Sequence, residues 1–466
     1  MLLRRIDEDQ LAQASYLVGC QRTGEALVID PHRDAARYRG IAEAEGLRIV
    51  AVTETHIHAD FVSGARDLAA QTGARLYLSG AGPDEWQYAY AEEAGATLLH
   101  DGDVLTIGAL RLAVLHTPGH TPEHLSFLLT DTAATDVPMG LFSGDFVFVG
   151  DAGRPDLLER AAGHAGTMTG AARELFASLR RFRALPEWAQ LWPGHGAGSA
   201  CGKQLGAVPQ STVGYELRSN PALADTDEAQ FVTAILSGQP EPPAYFAAMK
   251  RINRLGPPPA SALADPATLT ADAAAGLHAT AVALVDTRPA VEFRAGTLPG
   301  ALNLPLDDAF LAWAGQLLTV GHPFALVVAD EARARAIRLL RLIGLDDLVG
   351  TVAATAVAEW SARHAAATPI APLESLELRR WPATRPRTLV DVRNADERAE
   401  SLIAGSIHIP LAELPRRLAE VPRDGTVVVY CQGGKRSAIA AGVLSAAGYR
   451  DVRDLAGGFE AWRASA

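Results

Sequence analysis

Two short runs hold the reactive side chains of this protein. Thr55-His56-Ile57-His58-Ala59-Asp60-Phe61 sets two imidazoles and a carboxylate within five positions. Cys431-Gln432-Gly433-Gly434-Lys435-Arg436-Ser437 sets a thiol ahead of two glycines and a guanidinium. The first suits a divalent cation, the second a nucleophilic thiolate. A lone loop histidine is more often structural, so the metal reading needs further donors. They stand at His120 in Thr117-Pro118-Gly119-His120, at Asp145 in Ser143-Gly144-Asp145 and at His195 in Pro193-Gly194-His195, each after an apolar run. Loops at strand ends converge on sites, and donors repeated in that position form one joint pattern. A phenyl ring cannot donate to a metal, so Phe61 marks a missing ligand and favours one ion over two.

The argument for the thiol is electrostatic. Thr426–Tyr430 reads as a β-branched strand, and an Ala-rich helix runs on through Ala447. A cysteine at that junction feels the positive end of the helix dipole, and Gly433 and Gly434 let backbone N–H groups approach its sulfur. Both effects favour thiolate, the form that attacks sulfur. Gln432, Gly433, Gly434 and Lys435 are the candidate sulfur-binding residues, and Arg436 is placed to close the loop on an anionic ligand. Cys201, flanked by Gly198 and Gly202, is read as a thiol near the metal pocket that carries or regulates sulfur. Cys20, within a strand, is read as a small buried filler. Arg154 and Asp156 have two readings. They form either a surface ion pair of little worth or part of the pocket floor, with Arg154 binding a substrate carboxylate.

These residues need elements to hold them. Strands are predicted at Ser15–Gly19, Glu25–Asp30, Arg48–Thr55, Arg75–Ser79, Val104–His116, His124–Thr130, Gly140–Val149 and Leu191–Trp192, with a helix at Asp34–Glu45. Gly256-Pro257-Pro258-Pro259 is a stiff break and a domain boundary. Beyond it, Leu284–Leu306 and Leu389–Leu411 align without a gap at an offset of 105, with nine identities in 23 positions. Two copies of one α/β domain follow from that repeat. The Ala- and Pro-rich stretch 365–372 is the expected joint between them. The expected domains are 1–255, 260–365 and 372–466. Anchoring Arg335 on Arg436 puts Asp330 at the cysteine position of the first copy, which predicts an inactive domain that keeps Asp286 and Arg288 for its fold.

The bulk composition narrows the function classes. A chain of 466 residues suits about three domains, and 48% apolar residues support packed cores rather than disorder. With 42 basic against 54 acidic residues the net charge is −12, which argues against a nucleic-acid partner. No apolar run approaches the roughly 20 residues that span a bilayer, and Met1–Gln10 lacks a signal-peptide core. Three cysteines make no disulfide framework and suit a reducing compartment. A cytoplasmic, membrane-free protein is expected, as is a homo-oligomer.

The order HxHxD, TPGH, GD, PGH resembles the metallo-β-lactamase superfamily over about residues 1–255. Within it, Thr55–Asp60, Thr117–Thr121 and Gly153–Asp156 resemble the persulfide dioxygenases, most of which carry His at the place of Phe61. The resemblance implies one Fe(II) held by His56, His120 and Asp145, a set expected of non-haem iron oxygenases. It makes His58, Asp60 and His195 outer groups that orient ligands and water. Cys431, Gly434 and Arg436, with Val390-Asp391-Val392-Arg393 and Gly457–Trp462, resemble the rhodanese family. The implied fold is α/β: an N-terminal αββα metallo-β-lactamase fold followed by two rhodanese-like domains. The implied activity is oxidation of glutathione, coenzyme A or cysteine persulfide by O2 to sulfite. Sulfur transfer at Cys431 would then make or use thiosulfate. The alternatives are a zinc thioester hydrolase of the glyoxalase II type and a non-enzymatic sulfur carrier.

Overall fold

Strand β4 (Arg48–Thr53) delivers the histidine run, and a sheet is built outward from it in the computed structural model. That sheet runs β1 (Leu2–Glu8), β2 (Gln13–Cys20), β3 (Glu25–Ile29), β4, β5 (Arg75–Ser79), β6 (Thr97–Leu99). Its first three strands are antiparallel and the rest parallel. A second sheet holds β7 (Val104–Ile107), β8 (Leu110–His116), β9 (Leu125–Asp131), β10 (Gly140–Gly144), β13 (Gln190–Pro193) and β14 (Ser211–Thr212). A hairpin of β11 (Val147–Phe148) and β12 (Asp151–Ala152) stands apart. The structure describes every residue except 161–162, 164–165, 225–226, 365–369, 383 and 466.

The inward faces of the two sheets pack Tyr16, Val18 and Leu27 against Leu112, Phe127 and Trp192, all buried. Each such side chain contributes roughly 1.5–3 kcal/mol of burial. Helices Ala35–Ala44 and Ala65–Thr72 cover the outer face of the first sheet. Helices Met168–Phe182 and Glu228–Leu236 cover the second. The layering is therefore αββα.

Two predicted strands are broken where the chain turns. Val104–His116 is a hairpin, β7–β8, because Gly108 takes φ +56° between them. Gly140–Val149 stops at Gly144, whose φ of +51° turns Asp145 out of the sheet. Apolar periodicity does not register a single left-handed glycine.

The chain divides into two units, Met1–Ala264 with Arg341–Gly344, and Asp265–Leu340 with Leu345–Ala466. The two repeat copies thus share one unit. Each copy is a five-stranded parallel sheet of the same order. The first is β15 (Ala267–Thr268), β19 (Leu348–Ala353), β18 (Phe324–Val328), β16 (Ala283–Asp286), β17 (Ala301–Asn303). The second is β20 (Ala371–Leu373), β24 (Val452–Leu455), β23 (Thr426–Tyr430), β21 (Arg387–Asp391), β22 (Ile407–His408). Of the expected joint at 365–372, residues 365–369 lie outside the described residues. Pro372 lies in β20, an edge strand, where a missing N–H is tolerated.

Sheet register corrects the alignment of the copies. Asp286 faces Val327 as Asp391 faces Tyr430. Val328, not Asp330, therefore stands where Cys431 stands, and neither residue carries a thiol. Among the described residues no helix is long and apolar enough to cross a membrane.

Candidate functional site

In the first unit the predicted donors converge. Ligand atoms of His56, His120 and Asp145 all lie within 4.8 Å of one another, and all three residues are buried. Asp145 Oδ2 is 3.8 Å from His56 Nε2 and 3.5 Å from His120 Nε2. The other ring nitrogens are occupied. Thr55 Oγ1 donates to Asp30 at 2.9 Å, so it accepts from His56 Nδ1 at 3.0 Å. His120 Nδ1 donates to the Arg154 carbonyl at 3.2 Å. Both rings thus present a lone pair at Nε2, and these atoms and both Asp145 oxygens lack any hydrogen-bond partner. Buried polar atoms without partners are costly, and a cation held by one such atom from each of the three residues would satisfy them. Burial raises the Asp145 carboxyl to about 6, with His195 opposing; a bound cation would reverse that shift.

Close backbone approach makes this possible. A Cβ on Gly153 would lie 1.8 Å from the Asp145 carbonyl oxygen and 2.9 Å from the His120 Cβ. Glycine is obligatory there.

The outer residues separate into two groups. His58 turns away: its Nε2 is 3.2 Å from Asp30, and the Phe61 ring lies against it at 4.3 Å. Burial lowers the His58 pKa, but Asp30 outweighs it and carries the imidazole up to about 9. Asp60 and His195 instead join Cys201, and ligand atoms of these three also lie within 4.8 Å of one another. His195 Nε2 reaches Asp60 at 3.3 Å and Asp145 at 3.6 Å. Burial, then Asp145 and Asp60, push the Cys201 thiol well above its usual range. A thiol thus stands with Asp60 and His195 beside the first three donors. Cys20 is buried in the core and its sulfur accepts the Ala109 N–H at 3.3 Å.

Of the two readings of Arg154 and Asp156, the surface pair is excluded, because both residues are buried. Arg154 bonds Asp156 at 3.0 and 2.8 Å, the Ala200 carbonyl at 3.1 Å and the Pro240 carbonyl at 2.6 Å. Four of its five N–H donors are taken up in a clamp beside Cys201, and the guanidinium is fully buried, so it is held as part of the fold. Two residues apart in sequence, they resembled a local pair; only the fold brings residues 200 and 240 to them.

Sequence reasoning missed several site residues. His124 stacks on His56 at 5.0 Å, and its Nε2 accepts the Asp145 N–H at 3.1 Å. Glu123 accepts the Ile57 N–H at 2.8 Å and so pins the histidine run. The spacing Thr117–His124 contained that signal. Lys250 carried none: it is a buried ammonium without a hydrogen-bond partner, 5.4 Å from the Trp86 ring centre.

In the second unit, Cys431 directly follows β23 and Gly434 caps helix Lys435–Ala446 at φ +96°. The Gly434 N–H donates to Cys431 Sγ at 3.1 Å, and Ser437 Oγ lies 3.5 Å away. Gly458, at φ +63°, lets Phe459 N–H reach the Cys431 carbonyl at 2.7 Å; a Cβ there would sit 2.5 Å from that oxygen. Gln432 bridges Glu460 at 3.2 Å and Arg393 at 3.3 Å, while Gly433 and Lys435 are exposed. Arg436 binds Glu397 at 2.6 Å through both terminal nitrogens. That bidentate pair holds the guanidinium beside the loop, a partner that loop spacing alone did not reveal.

The metallo-beta-lactamase superfamily model matches residues 9–195. A metallo-beta-lactamase structure from Staphylococcus aureus is 41% identical, over 76% of this chain and 99% of its own, with a TM-score of 0.68. The chain belongs to the metallo-β-lactamase superfamily. The superfamily fold is followed by two rhodanese-like domains, matched at residues 269–353 and 375–465. Superfamily relatives include a beta-lactamase hydrolase-like protein of Xylella fastidiosa, 28% identical over 48% of this chain and 53% of its own. The hydroxyacylglutathione hydrolase of Rhodospirillum rubrum is 32% identical over 41% of this chain and 66% of its own. The chain spans about half the length of the first curated relatives it matches.

Proposed function

We propose that the first unit is a mononuclear iron persulfide dioxygenase and that Cys431 transfers sulfane sulfur. The carrying observation is the set of partnerless atoms on His56, His120 and Asp145, two imidazoles and one carboxylate with coordination positions to spare. Ferrous iron held there would supply the O2-activating chemistry that side chains lack. Overall, RSSH + O2 + H2O gives RSH + sulfite + two protons, where R is glutathione, coenzyme A or cysteine. Thr55 and the Arg154 carbonyl hold the two imidazoles in the ligating tautomer. Phe61 and the apolar surroundings exclude water. Asp60 and His195, beside Asp145, would orient bound water or substrate. Cys431 then either passes sulfur to sulfite, forming thiosulfate, or draws it from thiosulfate; formation is favoured where sulfite is made on the same chain.

A thioester hydrolase is the second reading. The Asp60–His195–Cys201 cluster favours it as a second metal position, as does the likeness to a hydroxyacylglutathione hydrolase. Anaerobic loading with Fe(II), followed by O2 uptake on adding a persulfide, tests the first. Absence of uptake, with thioester cleavage by zinc-loaded protein, would establish the second.

A further inference from the structure

Cys431 lines a cavity of about 1360 Å³, larger than the ~300–1,000 Å³ of most ligand pockets. Its walls come from both rhodanese-like copies: Phe310, Trp313 and Arg335 from the first, Cys431, Lys435 and Ile439 from the second. Sulfite or thiosulfate has no apolar part to cover Phe310, Trp313 and Ile439. The charges on the wall are also unbalanced. Arg294 is paired with Asp454 at 2.7 Å, and Arg436 with Glu397. Asp307 is also on the wall and accepts the Ala309 N–H at 2.9 Å, which leaves two cations, Arg335 and Lys435, against one carboxylate. Among the described residues, Arg335 and Lys435 have no such partner, and both are exposed. An anionic head on a long arm satisfies both features, and phosphates bring more negative charge to these cations than a peptide whose own ammonium offsets one of its carboxylates.

We propose that this joint cavity seats a phosphate-bearing thiol carrier, its persulfide at Cys431 and its phosphates on Arg335 and Lys435. The proposal rests on the sulfur-transfer reading above. It gives the copy without a cysteine a binding role. Arg335 offers a planar fork suited to phosphate oxygens. In the transfer, Cys431 thiolate attacks the outer sulfur of the carrier persulfide. The carrier S–S bond breaks and a new S–S bond forms on Cys431. The electron pair leaves on the carrier thiolate, the proton stays on the transferred sulfur, and no outside oxidant or reductant enters.

The test is anaerobic, single-turnover persulfidation of Cys431 in the full chain, followed by mass spectrometry. The donors are coenzyme A persulfide, glutathione persulfide and thiosulfate. Arg335→Ala should raise the coenzyme A persulfide concentration for half-maximal loading by about tenfold or more, the loss of one charge-assisted contact. Loading from thiosulfate should stay within about twofold, and Arg335→Lys should recover part of the loss. Adenosine bisphosphate should compete with coenzyme A persulfide in the unmodified chain. An unchanged concentration dependence in Arg335→Ala, or an equal loss with glutathione persulfide, overturns the proposal while leaving sulfur transfer standing. Failure of all three donors to load Cys431 in the unmodified chain overturns both.

Discussion

Thr55 sits between Asp30 and His56, and the direction of its hydroxyl decides which imidazole nitrogen faces the pocket. Thr55→Val keeps the shape and removes that constraint. Metal affinity, measured by chelator competition, should fall about 10–100-fold, as for other outer partners of ligating histidines. Phe61→His restores a donor beside Asp60. Elemental assay of that variant decides whether Phe61 itself sets the count: a rise from one ion per chain towards two would show that it does, and a count that stays at one, as the resemblance to persulfide dioxygenases with His there implies, would remove Phe61 from the argument. These ligands were legible because histidine and aspartate at strand ends have few other reasons to recur. The choice between the two readings of Arg154 was not legible because its partners, Asp156 apart, are carbonyls of residues 200 and 240, and a carbonyl leaves no mark in a sequence.

Among the elements, the two rhodanese-like sheets carry matched buried pairs, Asp286–Arg288 and Asp391–Arg393. Asp391 also accepts from Tyr430 and Arg398. Asp391→Asn leaves buried cations uncompensated and should cost about 3–5 kcal/mol, read from thermal or denaturant unfolding. Burial raises the Asp391 pKa, but Arg393 and Tyr430 outweigh it and hold the carboxyl below 3.8. Its folded value therefore lies below its unfolded one. The stabilisation is whole above about pH 4 and is lost as acid passes the folded value; the asparagine variant should lack that acid limb. Gly458→Ala should cost more than about 1 kcal/mol, since it strains a left-handed residue and meets the Cys431 carbonyl. A variant with unaltered stability would deny that the Gly457-Gly458 turn shapes the cysteine loop. The repeat was visible because both copies bury the same pattern. The register that puts Val328 at the place of Cys431 was not, because loops of different length can hide between matched strands.

At the scale of the whole molecule, the two chemistries draw on separate residues. Chelation should abolish O2 uptake and leave Cys431 loading from thiosulfate within about twofold. Metal loss should also lower the unfolding temperature of the first unit, because a ligand that binds only the folded state stabilises it. Cys431→Ser should do the reverse, ending sulfur transfer while O2 uptake persists. Either treatment silencing both activities would mean that one centre depends on the other. By itself the sequence determined the layered α/β class, the repeat, the histidine and aspartate donors and the reactive cysteine. Periodicity, glycine punctuation and scarce residue types are local properties, written along the chain. Only the tertiary structure decided that Cys201 stands with Asp60 and His195, that Arg154 is locked in a clamp, that Lys250 is buried, and that Arg335 shares a cavity with Cys431. Those facts join residues tens to hundreds of positions apart, and the packing of sheets and helices, not spacing, sets the distances between them.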